Sequence, residues 1–311
     1  MKNNLAAIIG TGFGLRVIYN TLKYLKIFKV KYVFSRKKKY MDIFSNNIDD
    51  LLENKFLNFI FIETPPHTHN HYLNLFKNKK LTILCEKPFV TKVNDLKNIK
   101  MNLNKYKSKI LVNHQLRHHP HILRFKKELK KIGKIKFFEI IYNSNNISEK
   151  KNNWWFNRKL GGGHLLAIGP HLLDLLNFFN GDIKNLKKDL RYIRKYNKKI
   201  DVAFNLNGFF TNGINFNVRS LCDSKKKNTN LEIVAHGALS ILKFENYKRI
   251  KILKNQSERC IKLQKLKPYT NFFSNPWRIA QFYYLKKIFN VRTKSNKVNL
   301  KQPIKNLELI L

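Results

Sequence analysis

The sequence predicts an α/β domain built on a parallel, doubly wound sheet, followed by an α+β domain with a mainly antiparallel open sheet. Three observations carry that prediction. Up to about residue 113, short apolar runs alternate with helical stretches. Beyond it, strand-like runs follow one another, with turn dipeptides such as Asn212-Gly213 and His236-Gly237 between them. The first apolar run also leads straight into a glycine-rich turn and a helical segment.

Taken in order, residues 5–9 are a strand, 16–24 a helix, and 31–34 a second strand. Residues 59–62 are a strand that ends at Thr64-Pro65-Pro66. A helix over 69–76 and a strand over 81–85 follow. Residues 95–106 read as a helix with Leu96, Ile99 and Leu103 on one face, and 109–112 close the series as a strand. In the second part, helices are expected at 120–131 and 170–179, and strands at 137–142, 202–210, 213–218, 231–235 and 240–244. No internal repeat and no Gly/Ser-rich linker interrupts the chain. The domains are therefore expected to be residues 1–113 and 114–311, joined directly near Asn113.

Composition bounds the function. A chain of 311 residues with 43% hydrophobic and 13% aromatic residues is a globular protein rather than a disordered one. Lys and Arg number 62 against 19 Asp and Glu, a net charge of +43. A field of that sign draws anions, nucleic acid among them. The lysines, however, are spread along the whole length and mixed with Asn, Ile and Phe, as compositional drift produces. No basic-aromatic stripe or zinc-finger spacing accompanies them, so nucleic acid is not the expected partner. The three cysteines, Cys85, Cys222 and Cys260, form no CxxC pair and fit a reducing cytoplasm. No run approaches the roughly 20 apolar residues that span a membrane. The short run before Gly10 reads as a buried strand rather than a leader.

Strand, then Gly10-Thr11-Gly12-Phe13-Gly14, then helix is the context of a Rossmann dinucleotide turn. Gly10 permits the tight turn, Gly12 admits a pyrophosphate close to the backbone, and the helix offers free N–H groups to the phosphates. The third glycine stands at Gly14, with Leu15 after it, which departs from the usual spacing. The second strand ends at Ser35-Arg36-Lys37. An NAD-specific site ordinarily carries an acid there, whereas a hydroxyl and two cations suit a 2′-phosphate, so NADP is favoured over NAD.

Cys85-Glu86-Lys87-Pro88 follows a strand at its C-terminal edge, where open α/β sheets bind ligands. A lysine there can polarise a carbonyl, although a surface lysine is the plainer alternative. Gly161-Gly162-Gly163 is costly in backbone entropy, so either packing or the approach of a ligand to Gly163 is expected to explain it. The helix behind it carries His171 and Asp174 at i, i+3 on one face. His171 suits general acid–base work near neutral pH or a satisfied place in the core. Asp174 reads as a buried orienting carboxylate beside the substrate. His114, His118, His119 and His121 cluster, but Pro120 breaks a helical pair and no metal site is expected. Trp154 and Trp155 suit a substrate wall or the core.

Together these segments resemble the Gfo/Idh/MocA oxidoreductases, named for glucose-fructose oxidoreductase and inositol dehydrogenase. The resemblance runs through Gly10 to Gly14, Thr64-Pro65-Pro66-His67, Glu86-Lys87-Pro88, and Gly161 through His171 to Asp174. It implies hydride transfer between a nicotinamide and a sugar, sugar-nucleotide or polyol. Lys87 would polarise the substrate oxygen and His171 would act as general acid–base. Thr64, Pro65 and His67 would border the nicotinamide ribose, with Glu86 and Lys87 beside it. Gln115 and Arg117 match a segment lining the cleft, where Arg117 would meet a substrate anion or a structural carboxylate. A homodimer or homotetramer is implied as well. One position departs: polyol-oxidising members often carry an aspartate four residues before the histidine, and here that residue is Ala167. The competing reading is a non-catalytic dinucleotide-binding sensor on the same fold.

Overall fold

The computed structural model describes residues 4–36, 42–144, 154–223, 229–266, 271–290 and 300–311. Its strands are β1 (Leu5–Ile9), β2 (Lys29–Phe34), β3 (Phe44–Ser45), β4 (Leu57–Ile62), β5 (Thr82–Cys85), β6 (Lys109–Val112), β7 (Ile135–Ser144), β8 (Ile183–Lys195), β9 (Lys198–Phe210), β10 (Asn215–Cys222), β11 (Asn230–Gly237), β12 (Ile241–Glu245), β13 (Arg249–Lys254) and β14 (Ser257–Cys260). Its α-helices are α1 (Asn20–Leu25), α2 (Asp49–Leu52), α3 (His69–Phe76), α4 (Val93–Asn102), α5 (Pro120–Glu128), α6 (His164–Asn180), α7 (Pro276–Asn290) and α8 (Lys301–Ile310). Two compact units result. The first holds Met1–Gln115, Trp277–Leu309 and Leu311, and the second holds Leu116–Pro276 and Ile310.

In the first unit, six strands run in the order β3-β2-β1-β4-β5-β6, and every neighbouring pair is parallel. Ala6, Ala7, Ile8 and Ile9 of β1 are fully buried, as expected of a central strand covered on both faces. The expected α/β domain is thus present. Its extent differs from the division at residue 113, because the chain returns to this unit with α7. Phe289 packs against Phe28 and Phe59 at ring-centroid distances of 4.1 and 5.2 Å. Tyr284 and Leu285 join the core that holds Ile8, Ile18 and Leu84, and the Tyr284 hydroxyl donates to the Val112 carbonyl at 3.1 Å. The reason for the difference is physical: apolar surface on β1 and β4 needs cover, and the aromatic helix from far along the chain supplies it.

The second unit contains eight strands in the order β14-β13-β12-β11-β7-β10-β9-β8. All pairs are antiparallel except β7 with β10. An aromatic layer joins helix to sheet. Phe125 of α5 and Phe179 of α6 meet at 5.2 Å, Phe125 reaches Phe244, and Phe138 contacts both Phe179 and Phe210. Helix α6 begins at His164 and carries Pro170 in its interior, whereas the sequence suggests a start at Pro170. The earlier start is held by a long-range cap. The Leu165 N–H donates to Asp201 Oδ2 at 2.7 Å, so the first turn is satisfied from β9 rather than by a neighbouring residue. Among the described residues, no helix is long and apolar enough to cross a membrane.

Candidate active site

The C-terminal edge of the parallel sheet carries a row of residues lying one position beyond the strands. Ladder hydrogen bonds continue through it: Ser35 N to Ser45 O at 3.0 Å, Gly10 N to Phe34 O at 3.1 Å, Glu63 N to Ile9 O at 2.8 Å, Glu86 N to Ile62 O at 2.9 Å, and Asn113 N to Cys85 O at 2.8 Å. Ser35, Gly10, Glu63, Glu86 and Asn113 therefore stand side by side. This is the edge at which open α/β sheets receive ligands. The expected residues Gly10 to Gly14, Ser35, Arg36, Thr64, Pro65, His67, Glu86 and Lys87 all lie in this row or in the loops that leave it.

The three glycines of the first turn have different work. At Gly10 the backbone has φ +111°, and a Cβ would stand 2.6 Å from the Glu63 carbonyl oxygen. Only glycine fits there. A Cβ on Gly14 would meet Ile8 at 2.8 Å and the Glu63 Cβ at 3.2 Å, so Gly14 lets the helix pack on the sheet. Gly12 is the reverse: a Cβ there would meet nothing within 4 Å. Behind it the chain winds through a π-helical turn, Gly14–Tyr19, into α1, with no side chain capping the N-terminus. Open space in front of Gly12 and uncapped N–H groups behind it fit the pyrophosphate of a dinucleotide. At the end of β2, Arg36 is exposed; burial raises the Tyr72 phenol, and the nearby Arg36 charge offsets part of that rise. Lys37 lies outside the described residues.

Lys87 is partly buried beside Glu86. Burial pulls its ammonium below the usual lysine range and the Glu86 carboxylate pushes back. Glu86 is raised by burial and drawn down again by Lys87, by the Asn113 side chain and by the Lys87 N–H, which donates to Glu86 Oε2 at 3.2 Å. Asn113 Nδ2 donates to both Glu86 Oε1 and Gln281 Oε1. Helix α7 thus reaches the site through Gln281.

Two residues outside the motifs singled out in the sequence stand here, and a third lies in the second unit. Glu63 is 5% exposed, and neither carboxyl oxygen has a hydrogen-bond partner among the described residues. Burial first, and Glu86 second, raise it well above the usual carboxylate range. His69 is fully buried and joins two loops: Nδ1 lies 2.9 Å from the Pro88 carbonyl and Nε2 lies 2.8 Å from the Thr64 carbonyl. Burial lowers its ring to about 4 against the pull of those two carbonyls. Asp201, in the second unit, is the third. A Cβ on Gly163 would stand 2.2 Å from its Oδ1, and one on Gly162 would stand 2.2 Å from the Trp155 carbonyl. The bareness of these glycines is taken up by the cap and the Trp154-Trp155 backbone. Of the two readings left open for these glycines, packing is the one the geometry displays.

Helix α6 carries His171 and Asp174, each 1% exposed. Ala167 sits one turn before His171 and packs against the cluster of Trp155, Phe156, Ile200 and Val202. Arg117 grips Asp174 with two bonds, Nε to Oδ2 at 2.6 Å and Nη2 to Oδ1. Of the two partners the sequence left open for Arg117, the structural carboxylate is the one observed. In the histidine cluster, His121 bonds the carbonyls of Tyr247 and Gln264 at 2.6 and 3.1 Å, and burial lowers His119 to about 3. Among the described residues no group of three or more His, Cys, Asp or Glu is placed to hold a metal ion.

Comparison with known proteins bears on this arrangement. Residues 5–114 match the model described as "Oxidoreductase family, NAD-binding Rossmann fold", and residues 127–239 match the GFO/IDH/MocA C-terminal domain. An oxidoreductase of Formosa agariphila is 29% identical over 151 residues, which are 46% of this chain and 47% of that protein. Glucose-fructose oxidoreductase domain-containing protein 1 of Xenopus tropicalis is 26% identical over 188 residues, 55% of this chain and 46% of that protein. The chain thus spans about half the length of these curated relatives. A levoglucosan dehydrogenase solved with NADH superposes with TM-score 0.79 at 15% identity, over 99% of this chain and 96% of that one, a likeness of fold.

Proposed function

The chain belongs to the Gfo/Idh/MocA family of NAD-binding oxidoreductases, and on that premise we propose that it transfers a hydride between a nicotinamide dinucleotide and a hydroxyl or carbonyl carbon of a sugar-like substrate. The observation that carries the reading is the open space at Gly12, in the turn that leaves a row which also holds Glu86 and leads into Lys87.

In this reading Gly12 and the uncapped turn behind it hold the pyrophosphate, and Thr11 and Phe13 flank it. Thr64, Pro65 and His67 border the ribose. The bound dinucleotide supplies the hydride or accepts it. Lys87, held by Glu86, polarises the substrate oxygen with its ammonium, and positioning supplies much of the rate. The same reading gives His171 the proton, with Asp174 fixed behind it by Arg117. Ala167 places an apolar methyl where polyol-oxidising relatives often carry an acid, which turns the proposal from inositol-type polyols toward sugars and sugar-nucleotides. The levoglucosan dehydrogenase among the structural neighbours is in keeping with that substrate class. Ser35 and Arg36 favour NADP over NAD. A homodimer or homotetramer and a cytoplasmic setting belong to the same proposal.

The test is a fluorescence titration with NADH and NADPH at low and moderate salt, followed by a sugar panel. Binding that survives salt, together with Lys87→Ala losing turnover but keeping the cofactor, is the expected result. Binding that disappears with salt would mark charge attraction alone. Salt-resistant binding without turnover on any sugar would favour the sensor reading.

A further inference from the structure

Glu63 is absent from every role assigned so far. It occupies the centre of the ligand-binding edge, between Gly10 on one side and Glu86 on the other. Its backbone carbonyl lies against Gly10, and its Cβ and Cγ lie against Gly14. The carboxyl group is thus seated beneath the turn that would receive the pyrophosphate. Both of its oxygens are buried without a hydrogen-bond partner among the described residues. An ionised carboxylate buried without a hydrogen bond is costly, and such groups take up a proton instead. Its neighbour in register reinforces this. Ile62 pairs with Cys85 across parallel strands, so the next residues, Glu63 and Glu86, are neighbours about 4.8 Å apart along the sheet. The Glu86 carboxylate adds to the effect of burial in raising Glu63.

We propose that Glu63 is a neutral carboxylic acid beneath the dinucleotide turn, and that the anionic dinucleotide binds the form in which this acid keeps its proton. Glu63 is then a positioning residue for the cofactor, and cofactor affinity is linked to one proton in the sheet edge. The inference rests on the cofactor reading of the glycine turn. The titratable and charged groups around it are few. Glu86, Lys87 and the Cys85 thiol come from the end of β5, and burial together with Glu63 and Glu86 raises that thiol. Asn113 and Gln281 add neutral amides from β6 and α7. On the turn itself, Arg16 is exposed and gives its Nε to the Gly12 carbonyl.

The sign is fixed by linkage. Ionising Glu63 at higher pH places a negative charge under a negatively charged ligand, so affinity falls as pH rises. In wild-type protein, NADH and NADPH affinity read by fluorescence is expected to drop about tenfold as pH is raised through the titration of Glu63, and Glu63→Gln is expected to keep its affinity over the same series. Calorimetry of wild type in two buffers of different ionisation heat is expected to show proton uptake on binding near the upper end. An equal fall in Glu63→Gln, as deprotonation of Lys87 would produce, overturns the proposal, and so does zero proton uptake. A melting series without ligand examines the acid by itself. The raised group makes wild-type stability fall as pH rises through its titration, so the melting temperature of Glu63→Gln should gain on wild type between about pH 5 and about pH 8. A constant gap overturns the buried-acid premise. A growing gap with binding of neither NADH nor NADPH at any pH would overturn the cofactor reading instead.

Discussion

The molecule contains two glycine-rich segments that look alike in sequence and behave differently in space. At Gly10 to Gly14, two glycines are filled from behind by Glu63 and Ile8, and the one between them, Gly12, faces open space. At Gly161 to Gly163, Gly162 and Gly163 are pressed by protein, Gly162 by the Trp155 carbonyl and Gly163 by Asp201. The first segment leaves room for a ligand phosphate. The second makes room for the cap that starts α6 and so sets the position of Ala167, His171 and Asp174. Absence of a Cβ therefore does not by itself mark a ligand site. What stands on the vacant side decides it.

The sharpest way to break this comparison is Gly162→Ala. A methyl 2.2 Å from the Trp155 carbonyl and 2.6 Å from the Trp154 carbonyl cannot be relieved by a flexible side chain. The expected loss is about 4 kcal/mol, or failure to fold, read by thermal or denaturant melting. Wild-type stability in that variant would show that the second segment is open like the first.

Asp201→Ala comes next. It removes the acceptor for the Leu165 N–H and empties the space beside Gly163, with an expected cost of about 2 kcal/mol. Asp201→Asn should cost less, because it keeps an oxygen for the same bond. If both variants melt like wild type, the cap is not what holds the first turn of α6.

Gly12→Ala has the smallest expected effect on stability, within about 0.5 kcal/mol, because nothing lies within reach of the added methyl. It should nevertheless weaken NADH binding by about tenfold or more, since the methyl would stand where the pyrophosphate approaches. A variant that binds NADH normally would remove the distinction between the two segments.

The parallel sheet was legible because its signal is local. Buried strands such as β1, and β4 from Phe59 onward, are continuous apolar runs, and glycine and proline follow close on their ends. The antiparallel strands β7, β9, β10, β11 and β12 were legible from alternation and turns. Strand β8 was not: its residues are largely charged and exposed, and its pairing is imposed by β9. Helix α7 is apolar or aromatic on most sides, without the polar stripe that identifies a surface helix, and its place in the first unit follows from contacts with Phe28 and Phe59 far back in the chain. At the sheet edge, the segments legible in the sequence were those that carry glycine, proline and lysine motifs. Glu63, His69 and Asp201 were not legible, because each acts on a partner that pattern alone does not bring near. His69 lies two positions beyond the histidine of the recognised loop. Glu63 immediately precedes Thr64-Pro65, where an acid ending an apolar strand was the available signal.

The return of α7 also orders events during synthesis. The sheet of the first unit is complete in sequence by Val112, yet the Phe289 ring that covers Phe28 and Phe59, and the Tyr284 hydroxyl that bonds the Val112 carbonyl, are made only after the whole second unit. A chain leaving the ribosome would carry an incompletely covered parallel sheet while the second unit forms. Such long sequence separation slows closure and prolongs the exposure of apolar surface. The first unit is therefore the later to be finished, and its aromatic patch is the surface a chaperone would have to shield in the interval.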